Sequence, residues 1–328
     1  MQTWLLGFSF LCSMAIYEVA EAEWFSYETE AMTTRLSLEF WIENETQESA
    51  DLLAEGVFKV FEQVDQQMSS YKAGSALSLL NASAYDNDVR VPDALYRVTE
   101  QALKVSELSR GAFDISFGSL GYYYDYRAKL QPTGKQRAAS LDAVDYRAIV
   151  LNPSTQSIRF RKSGMRLDLG GIAKGFAVDE GIALLKDKGV RFARLSAGGD
   201  MYLLGDKRGK PWVVGIRDPR REKEKALVLP LDNVAISTSG DYERFFIDEE
   251  GERIHHILNP STGKPAQGVQ SVTILGQQTM LTDALSTAVF VLGAAKGLEL
   301  VNQLPGVDAI IIDSERKLFY SEGLGTPE

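Results

Sequence analysis

Cysteine, histidine and positive charge are scarce in this chain of 328 residues, and each shortage excludes a kind of site. The only cysteine is Cys12, so neither a disulfide nor a zinc–thiolate centre is expected in the rest of the chain. The two histidines are adjacent, at His255 and His256. The formal net charge is −10, from 35 Lys and Arg against 45 Asp and Glu, whereas duplex nucleic acids are bound by basic surfaces. We therefore expect no nucleic acid among the partners of this protein.

One apolar run, at the N-terminus, is typical of a targeting segment. Residues 4–16 are mostly apolar but short for a membrane span, and Ala20, Glu21 and Ala22 form a small-x-small cleavage site. We expect a signal peptide over residues 1–22, a mature domain over residues 23–328 and a periplasmic location. Because no Lys or Arg precedes the apolar run, the alternative is a retained anchor that attaches the protein to the inner membrane.

Hydrophobic periodicity predicts an α+β fold, with a mixed, largely antiparallel sheet flanked by helices in a single domain. Strands are predicted at 35–42, 192–196, 211–217, 234–238, 242–248, 269–276, 308–313 and 317–321. Helices are predicted at 48–68, 93–109 and 280–292. Asp93 is expected to be the N-cap of the second helix, with Gly111 beyond its end. The Tyr-rich segment 121–150 is predicted to be a peripheral loop region.

The stretch LDLGGIAKGFAVDE, residues 167–180, places an acid, a glycine pair and a lysine before a helical pattern. Backbone N–H groups at a helix N-terminus attract phosphate, and glycine allows a close approach. Two familiar phosphate loops are excluded by spacing, because Lys174 is followed by glycine and the three glycines do not fit G-x-G-x-x-G. A strand-to-helix turn with glycines for packing is the alternative interpretation.

Two further segments carry groups suited to phosphate chemistry. In LTDALSTA, Asp283 and Thr287 lie four residues apart, so a carboxylate and a hydroxyl share one helix face. With a backbone carbonyl they would suit Mg²⁺, although a surface Asp beside a core-facing Thr is the structural alternative. The adjacent histidines lie on a predicted strand, where neighbours face opposite ways, so at most one reaches a given site. A proton acceptor would be one of these histidines or an Asp.

Taken in order, segments from residue 31 to residue 321 resemble the ApbE-type FAD:protein FMN transferases. The likeness rests on AMTTRLSLEF, MSSYKAGSALSLLN, GAFDISFGSL, LDLGGIAKGFAVD, SAGGDMYLLG, WVVGIRDP, AISTSGDYERFF, HHILNPSTGKPA and TDALSTAVFVLG. Each segment alone is a weak signal, and their shared order is the strong one.

The resemblance implies roles for individual residues. FAD would be bound by Met32, Tyr71, Ala112, Phe113, Asp114, Asp168, Lys174 and His256. Mg²⁺ would be held by the backbone carbonyl of Gly171 and the side chains of Asp283 and Thr287. The catalytic residues would be His256 and Asp283. His256 is the preferred base, with Asp168 or Asp283 as the alternatives.

The implied reaction is attack of a threonine hydroxyl of an acceptor protein on the FMN phosphorus of FAD, with release of AMP. Mg²⁺ would neutralise charge on the diphosphate as the P–O bond breaks. The acceptors of the family include flavoprotein subunits of sodium-pumping NADH:quinone reductase and of Rnf-type complexes. The resemblance therefore implies FAD as substrate and a flavoprotein as partner.

The chain departs from the family pattern after the histidines, where Asp-Pro-Arg-Thr-Gly is replaced by NPSTG at residues 259–263. Loss of an acid and an arginine would alter acceptor docking or the hold on a phosphate. Two alternatives stay open: a periplasmic FAD-binding protein without transfer, and a Mg²⁺-dependent FAD pyrophosphatase in which water replaces threonine. A penicillin-binding acyl-enzyme, suggested by the S-x-x-K at residues 69–72, is disfavoured because S-D-N and K-T-G are absent.

Overall fold

Antiparallel hairpins and helices alternate along residues 23–43 and 46–325, which are the residues that this computed structural model describes. The signal peptide predicted over residues 1–22 lies outside the described residues. The strands are β1 (Glu23–Ala31), β2 (Thr34–Ile42), β3 (Val89–Arg90), β4 (Ile149–Asn152), β5 (Ser157–Phe160), β6 (Phe192–Ala197), β7 (Asp200–Leu204), β8 (Trp212–Asp218), β9 (Arg221–Leu231), β10 (Val234–Gly240), β11 (Phe245–Ile247), β12 (Arg253–His255), β13 (Leu258–Asn259), β14 (Lys264–Pro265), β15 (Val269–Gly276), β16 (Asp308–Asp313) and β17 (Leu318–Tyr320). The α-helices are α1 (Gln47–Met68), α2 (Ala76–Ser83), α3 (Asp93–Leu108), α4 (Gly118–Gly121), α5 (Gly134–Leu141), α6 (Ala173–Asp187) and α7 (Thr279–Val301).

Eight strands form the main sheet in the order β1-β2-β6-β7-β10-β15-β16-β17, and every adjacent pair is antiparallel. This confirms the predicted α+β class with a largely antiparallel sheet. In β2 the predicted alternation is observed, with Leu36, Leu38 and Phe40 buried on one face. The strand predicted over 242–248 is shorter than expected, because β10 continues to Gly240 and only β11 follows the turn.

Helices and a hairpin cover opposite faces of the main sheet. Helix α6 contacts both α1 and α7, and all three helices contact strands of the sheet. Ser237 of β10 hydrogen-bonds Thr282 of α7 at 2.9 Å, whereas the neighbouring Ile236 packs against Trp212 of β8. Since neighbouring strand residues face opposite ways, the β8–β9 hairpin covers the face opposite α7.

Among the described helices, α7 alone has the length and composition that would suit a membrane span. Its residues Ala284, Leu285, Ala288, Val289 and Phe290 are completely buried, and the helix contacts β10, β15 and α6. A helix surrounded by the core needs no polar face. The apolar composition of α7 is therefore explained by its position in the core.

The structure refines two predicted helices. Helix α7 is kinked at Gly293 (φ 80°, ψ 172°), so its first part, from Thr279, ends where the predicted helix 280–292 ends, and a second part continues to Val301. Asp93 is the first residue of α3 and not its N-cap. The N-cap is Pro92, which keeps an extended ψ of 151° immediately before the helix.

The segment 121–150 is not a peripheral loop region, since it contains α5 and the start of β4. Tyr124 is buried, and its hydroxyl donates to the Gly263 carbonyl at 2.9 Å. Tyr124 also packs with Phe246 and Ile254 in a second hydrophobic cluster. Tyr124 and the partly buried Tyr126 therefore form part of one wall of the site described below, whereas Tyr122 and Tyr123 are exposed.

Three chain reversals or strand ends meet at one end of the main sheet. They are the β1–β2 turn, the β6–β7 turn at Gly198 and Gly199, and the end of β10 at Gly240. Strand β1 begins at the opposite end, where Glu23 pairs with Ile42. The described chain therefore starts at one end of the sheet, and the loops of the candidate site lie at the other.

Candidate active site

A cavity of about 360 Å³ lies at the end of the main sheet where these turns meet. Ten of the eleven predicted site residues line it: Tyr71, Ala112, Phe113, Asp114, Asp168, Gly171, Lys174, His256, Asp283 and Thr287. They come from segments spread over more than two hundred residues of the chain. The fold thus brings into one cavity residues that the sequence showed only as separate segments in a particular order.

The loop before α6 is held by hydrogen bonds to its neighbours. Asp168 accepts from the Ser70 hydroxyl at 2.9 Å through Oδ2 and from the Gly170 amide at 2.8 Å through Oδ1. The Asp168 amide donates to the Ile115 carbonyl at 2.8 Å. Gly118 permits this approach, since a Cβ there would lie 2.8 Å from the Arg166 carbonyl oxygen. Asp168 is thereby fixed in the cavity wall.

Gly175 sets the contact between α6 and α7. A Cβ at this position would overlap the Thr279 carbonyl oxygen and lie 2.8 Å from the Cβ of Asp283, so only glycine allows the helices to touch here. The Gly175 amide donates to Asp283 Oδ2 at 3.0 Å. This glycine therefore serves helix packing, the alternative that the sequence left open for the motif.

Lys174 lies between two buried carboxylates. Its Nζ is 2.6 Å from Asp200 Oδ2 and 3.5 Å from Asp283 Oδ2. Burial opposes the charged ammonium, but the attraction of both carboxylates outweighs burial and raises the pKa of Lys174. Burial and the repulsion from Asp200 raise the pKa of Asp283, although Lys174 and the Gly175 amide oppose that rise. The positive charge of Lys174 is thus shared between two acids.

Asp283 and Thr287 both face the cavity, as their spacing on one helix predicts. A Cβ built on Gly171 would lie 3.3 Å from Thr287 Oγ1, so the loop backbone approaches α7 closely. A carboxylate, a hydroxyl and a backbone carbonyl are hard oxygen ligands that fit Mg²⁺. Within the described residues, no three His, Cys, Asp or Glu side chains gather as a metal site. The predicted set is of another kind, because it contains a single carboxylate.

The two histidines face opposite ways, as predicted. His255 is buried, with Nε2 2.9 Å from the Ala266 carbonyl oxygen and Nδ1 accepting from the Ile257 amide at 3.3 Å. His256 lines the cavity, and its buried Nδ1 has no hydrogen-bond partner among the described residues. Burial, with the nearby charge of Arg244, lowers the pKa of His256 to about 3. The ring is therefore neutral at pH 7 and can accept a hydrogen bond.

Asp114 has a structural role beside its place in the cavity wall. Its Oδ1 accepts from the Ser116 amide at 2.8 Å and the Ser116 hydroxyl at 2.6 Å, and its Oδ2 accepts from the Tyr146 amide at 2.9 Å. Burial raises the pKa of Asp114, and these hydrogen bonds oppose that rise. The carboxylate caps a short 3₁₀ turn that also holds Ala112 and Phe113 at the cavity. Contact of these three residues with FAD stays a prediction.

The two predicted flavin contacts, Met32 and Tyr71, are placed differently. Tyr71 lines the cavity and is 84% exposed, so its ring stands at the mouth. Met32 packs against the hydrophobic core and does not line the cavity. In the β1–β2 turn it is Thr33, with Thr34 at the start of β2, that faces the cavity. The structure therefore does not bring Met32 to the cavity wall.

Sequence reasoning missed several cavity residues, among them Asp200, Arg244, Tyr126 and Ser239. Asp200 follows the glycine pair of SAGGD, and an acid directly after a glycine turn was an available signal. Ser239 hydrogen-bonds Ser286 of α7 at 2.7 Å. Tyr126 stacks with Tyr124 in the segment predicted to be peripheral. No local sequence pattern pointed to Arg244, because its hydrogen-bond partner is distant in the chain.

The departure at residues 259–263 preserves the turn. Asn259 Oδ1 accepts from the Ser261 amide at 3.0 Å and from the Ser261 hydroxyl at 2.7 Å. An aspartate carboxylate can accept the same bonds. Leu258 and Pro260 line the cavity, so this turn forms part of its wall. The departure therefore preserves the shape of this turn and removes one acidic and one basic side chain from it.

Comparison with known proteins agrees with the sequence resemblance. The family model described as the ApbE family matches residues 32–311. An FAD:protein FMN transferase of Treponema pallidum (strain Nichols) is 37% identical over 295 residues, which cover 82% of this chain and 79% of that protein. An FAD:protein FMN transferase of Haemophilus influenzae is 31% identical over 260 residues, which cover 76% of this chain and 75% of that protein.

Solved structures share the fold. The crystal structure of the ApbE protein of Thermotoga maritima is similar with a TM-score of 0.83 at 30% identity, over 92% of this chain and 98% of that one. The flavin transferase ApbE from Vibrio cholerae is similar with a TM-score of 0.82 at 25% identity, with the same two coverages. Because the family model spans most of the sequence and the fold agrees over nearly its whole length, this chain belongs to the ApbE family.

Proposed function

We propose that this chain is an FAD:protein FMN transferase, which moves FMN from FAD to a threonine hydroxyl of an acceptor flavoprotein and releases AMP. The observation that carries the proposal is the meeting of Lys174, Asp283 and Thr287 with the Gly171 backbone at one cavity wall. Its relatives in the family bear that name. A lysine beside hard oxygen ligands is suited to a diphosphate and its metal ion.

Gly171, Asp283 and Thr287 would hold Mg²⁺ through a carbonyl, a carboxylate and a hydroxyl oxygen. When bound, the ion would draw charge from the phosphate oxygens as the P–O bond to AMP breaks. Asp200 and Asp283 keep Lys174 protonated, so its ammonium is available to the same anion. Residues of this chain thus orient the diphosphate from two helices.

We propose that His256 is the base that accepts the proton of the attacking threonine hydroxyl. Both carboxylate oxygens of Asp168 already have protein donors, and Asp283 is held by Gly175 and Lys174. Nδ1 of His256 is buried without a partner among the described residues and the residue lines the cavity, so the imidazole keeps an acceptor nitrogen that no protein donor occupies. A bound diphosphate would raise the low pKa of His256, because a nearby negative charge favours the protonated ring.

The proposed acceptors are flavoprotein subunits of sodium-pumping NADH:quinone reductase or Rnf-type complexes. The proposed location is the periplasm, with residues 1–22 as an export signal or, if retained, as an anchor in the inner membrane. The remainder, residues 23–328, is proposed to be one flavin transferase domain.

The test is flavinylation followed by intact mass spectrometry. The purified chain is mixed with FAD, Mg²⁺ and an acceptor flavoprotein domain, and we expect the acceptor to gain the mass of FMN. Asp283→Ala should abolish the gain, as should EDTA. Asp142→Ala is the control, since its side chain is 93% exposed and outside the cavity.

Two other outcomes would contradict the proposal. Formation of AMP and free FMN with no modified acceptor, across acceptors of both complexes, would identify a pyrophosphatase that uses water. The departure at residues 259–263 is the feature that favours the other alternative, an FAD-binding protein without transfer. Recovery of intact FAD in a tight complex would identify a binding protein.

A further inference from the structure

The cavity wall carries more negative than positive charge, which is an unfavourable balance for a diphosphate. Its cations are Lys174 and Arg244, and its carboxylates are Asp114, Asp168, Asp200, Glu243 and Asp283. The charge of Lys174 is already engaged by two of these acids within 3.5 Å. Besides the proposed Mg²⁺, a second protein cation in this wall would therefore favour an anionic substrate.

Arg244 is such a cation. Within residues 23–43 and 46–325 it has no carboxylate oxygen within 4.0 Å, and its side-chain hydrogen bond goes to a neutral hydroxyl. The adjacent Glu243 is instead directed to Arg217, at 3.3 Å. The guanidinium of Arg244 thus brings an uncompensated positive charge to the cavity.

Thr33 fixes the position of the Arg244 guanidinium. Arg244 Nη2 donates to Thr33 Oγ1 at 2.9 Å, which joins the β1–β2 turn to a segment 211 residues away. On its other side, the Arg244 carbonyl accepts from the His256 amide at 3.1 Å. Arg244 is therefore held between the turn and the candidate catalytic histidine.

The conformation of the β1–β2 turn is unusual for its residues. Met32 and Thr33 have φ values of 50° and 59°, and Ala31 pairs with Thr34 across the two-residue turn. Such turns favour Asn and Gly, and a β-branched residue at positive φ is uncommon. Strained backbone at a site points to function. Here the turn places the Thr33 hydroxyl at the cavity, and a glycine at this position would have no hydroxyl.

We infer that Arg244 binds a phosphate oxygen of the FAD diphosphate, and that Thr33 is a positioning residue that holds the guanidinium in place before substrate arrives. The inference rests on the proposed function, because it takes FAD as the ligand. A guanidinium presents a rigid fork of donors that matches phosphate oxygens, and charge-assisted hydrogen bonds of this kind are strong. Lys174 would bind from α6, and Arg244 from the turn that follows β10.

The test measures binding without metal or acceptor, using FAD and riboflavin as probes and flavin fluorescence as the readout. Riboflavin carries the flavin ring but no phosphate. We expect Arg244→Gln to raise the Kd for FAD by about tenfold or more and to leave the Kd for riboflavin within about twofold. Arg244→Lys should fall between, since it keeps the charge but loses the fork. The matched control is Arg159→Gln, which makes the same charge change at an exposed arginine outside the cavity.

The role of Thr33 is tested by a pair of variants. Thr33→Ala should raise the Kd for FAD about threefold to tenfold, and Thr33→Ser should restore it by returning the hydroxyl. Alanine is less strained than threonine at positive φ, so the melting temperature should not fall with the affinity. A structural role alone would lower both.

Three results would overturn the inference. The first is an Arg244→Gln variant whose affinity for FAD is unchanged, or falls by the same factor as its affinity for riboflavin. If the wild-type chain still transfers FMN, the proposed function is unaffected by that result. A Thr33→Ser variant as weak as Thr33→Ala would remove Thr33 from its positioning role. Failure of the wild-type chain to bind FAD at all would overturn both this inference and the proposed function.

Discussion

At the scale of single residues, His255 and His256 show how the same residue type acquires opposite roles. The nitrogens of His255 are occupied by a carbonyl and an amide, whereas Nδ1 of His256 has no partner in the described part of the chain. Sequence periodicity predicted the opposite orientations, because neighbours on a strand alternate. It could not predict the partners, since Ala266 reaches His255 only through the β13–β14 hairpin.

The hydrogen bonds of His255 require its neutral form, so we expect acid to destabilise the fold through this residue. Protonation would set a second N–H against the Ile257 amide, and burial lowers the pKa of His255 below its usual 6.5. The unfolded chain then takes up the proton first, and stability present above pH 6.5 is lost as the pH falls. The slope for one such group is about 1.4 kcal/mol per pH unit.

His255→Gln tests this expectation, because glutamine can offer a donor and an acceptor without titrating. Urea unfolding is compared at pH 7.5 and pH 5.5. The wild-type chain should lose about 1 kcal/mol more than the variant between the two pH values. Equal losses would show that His255 titrates normally in the folded protein.

At the scale of elements, α6 and α7 are joined by two contacts on which the proposed metal ligands depend. One is the close approach at Gly175. The other is Asp179 of α6, whose carboxylate accepts from the Thr279 amide at 2.8 Å and the Met280 amide at 2.9 Å. Asp179 thereby caps α7 from a neighbouring helix, since the N-cap residue Gln278 makes no side-chain cap. The motif LDLGGIAKGFAVDE therefore builds the site as well as lining it.

Gly175→Ala should separate the two helices. The added methyl group meets backbone and not a flexible side chain, so we expect a loss of about 1–3 kcal/mol in the free energy of unfolding. FMN transfer should fall with it, because Asp283 moves away from Lys174. Gly134→Ala is the control, since a Cβ there meets nothing within 4 Å and stability should stay within about 0.5 kcal/mol. Wild-type stability in Gly175→Ala would show that the helices can move apart freely.

Asp179→Ala should remove the cap of α7 at a cost of about 1–3 kcal/mol and should also reduce transfer activity. Activity falls because the first turns of α7 carry Asp283 toward the cavity. Thr133→Ala removes a comparable cap from the exposed helix α5. That control should lose stability and keep activity in the remaining folded protein. If the ratio of lost activity to lost stability were the same in both variants, the cap of α7 would have no specific effect on the site.

The elements that sequence reasoning predicted well are those whose pattern is set by local burial. Strand β2 and helix α1 alternate or repeat cleanly because one face of each meets the core. The segment 121–150 was misjudged, since Tyr124 and Tyr126 are buried by residues more than a hundred positions away. A polar, tyrosine-rich composition could not reveal that packing.

At the scale of the whole molecule, the cavity is built from segments that meet only in the folded chain. Order along the sequence was enough to assign Lys174, Asp283 and Thr287 to one predicted site through resemblance to a family, and all three line the cavity. It was not enough for Asp200 and Arg244, whose roles depend on single long-range contacts. Site residues that belong to a local sequence motif could be predicted. Site residues that depend on a long-range contact could not.

The prediction of an export signal belongs to this scale as well. When the full chain is made in a bacterium that exports proteins, the mature form in the periplasmic fraction should begin at residue 23. Intact mass measured on the recovered protein checks this directly. A full-length mass in the membrane fraction would support the retained anchor, and a full-length mass in the cytoplasmic fraction would contradict both.

The described chain begins at the end of the main sheet opposite the cavity. Strand β1 has nine residues, and at about 3.4 Å per residue its ends lie about 27 Å apart, with the cavity at the far end. Removal of residues 1–22 should therefore leave the Kd for FAD within about twofold of that of the full chain in detergent. The matched comparison is Lys174→Met in the shortened chain, which removes a cavity cation and should weaken FAD binding about tenfold or more. A large loss of affinity on shortening alone would show that the N-terminal segment reaches the cavity despite this distance.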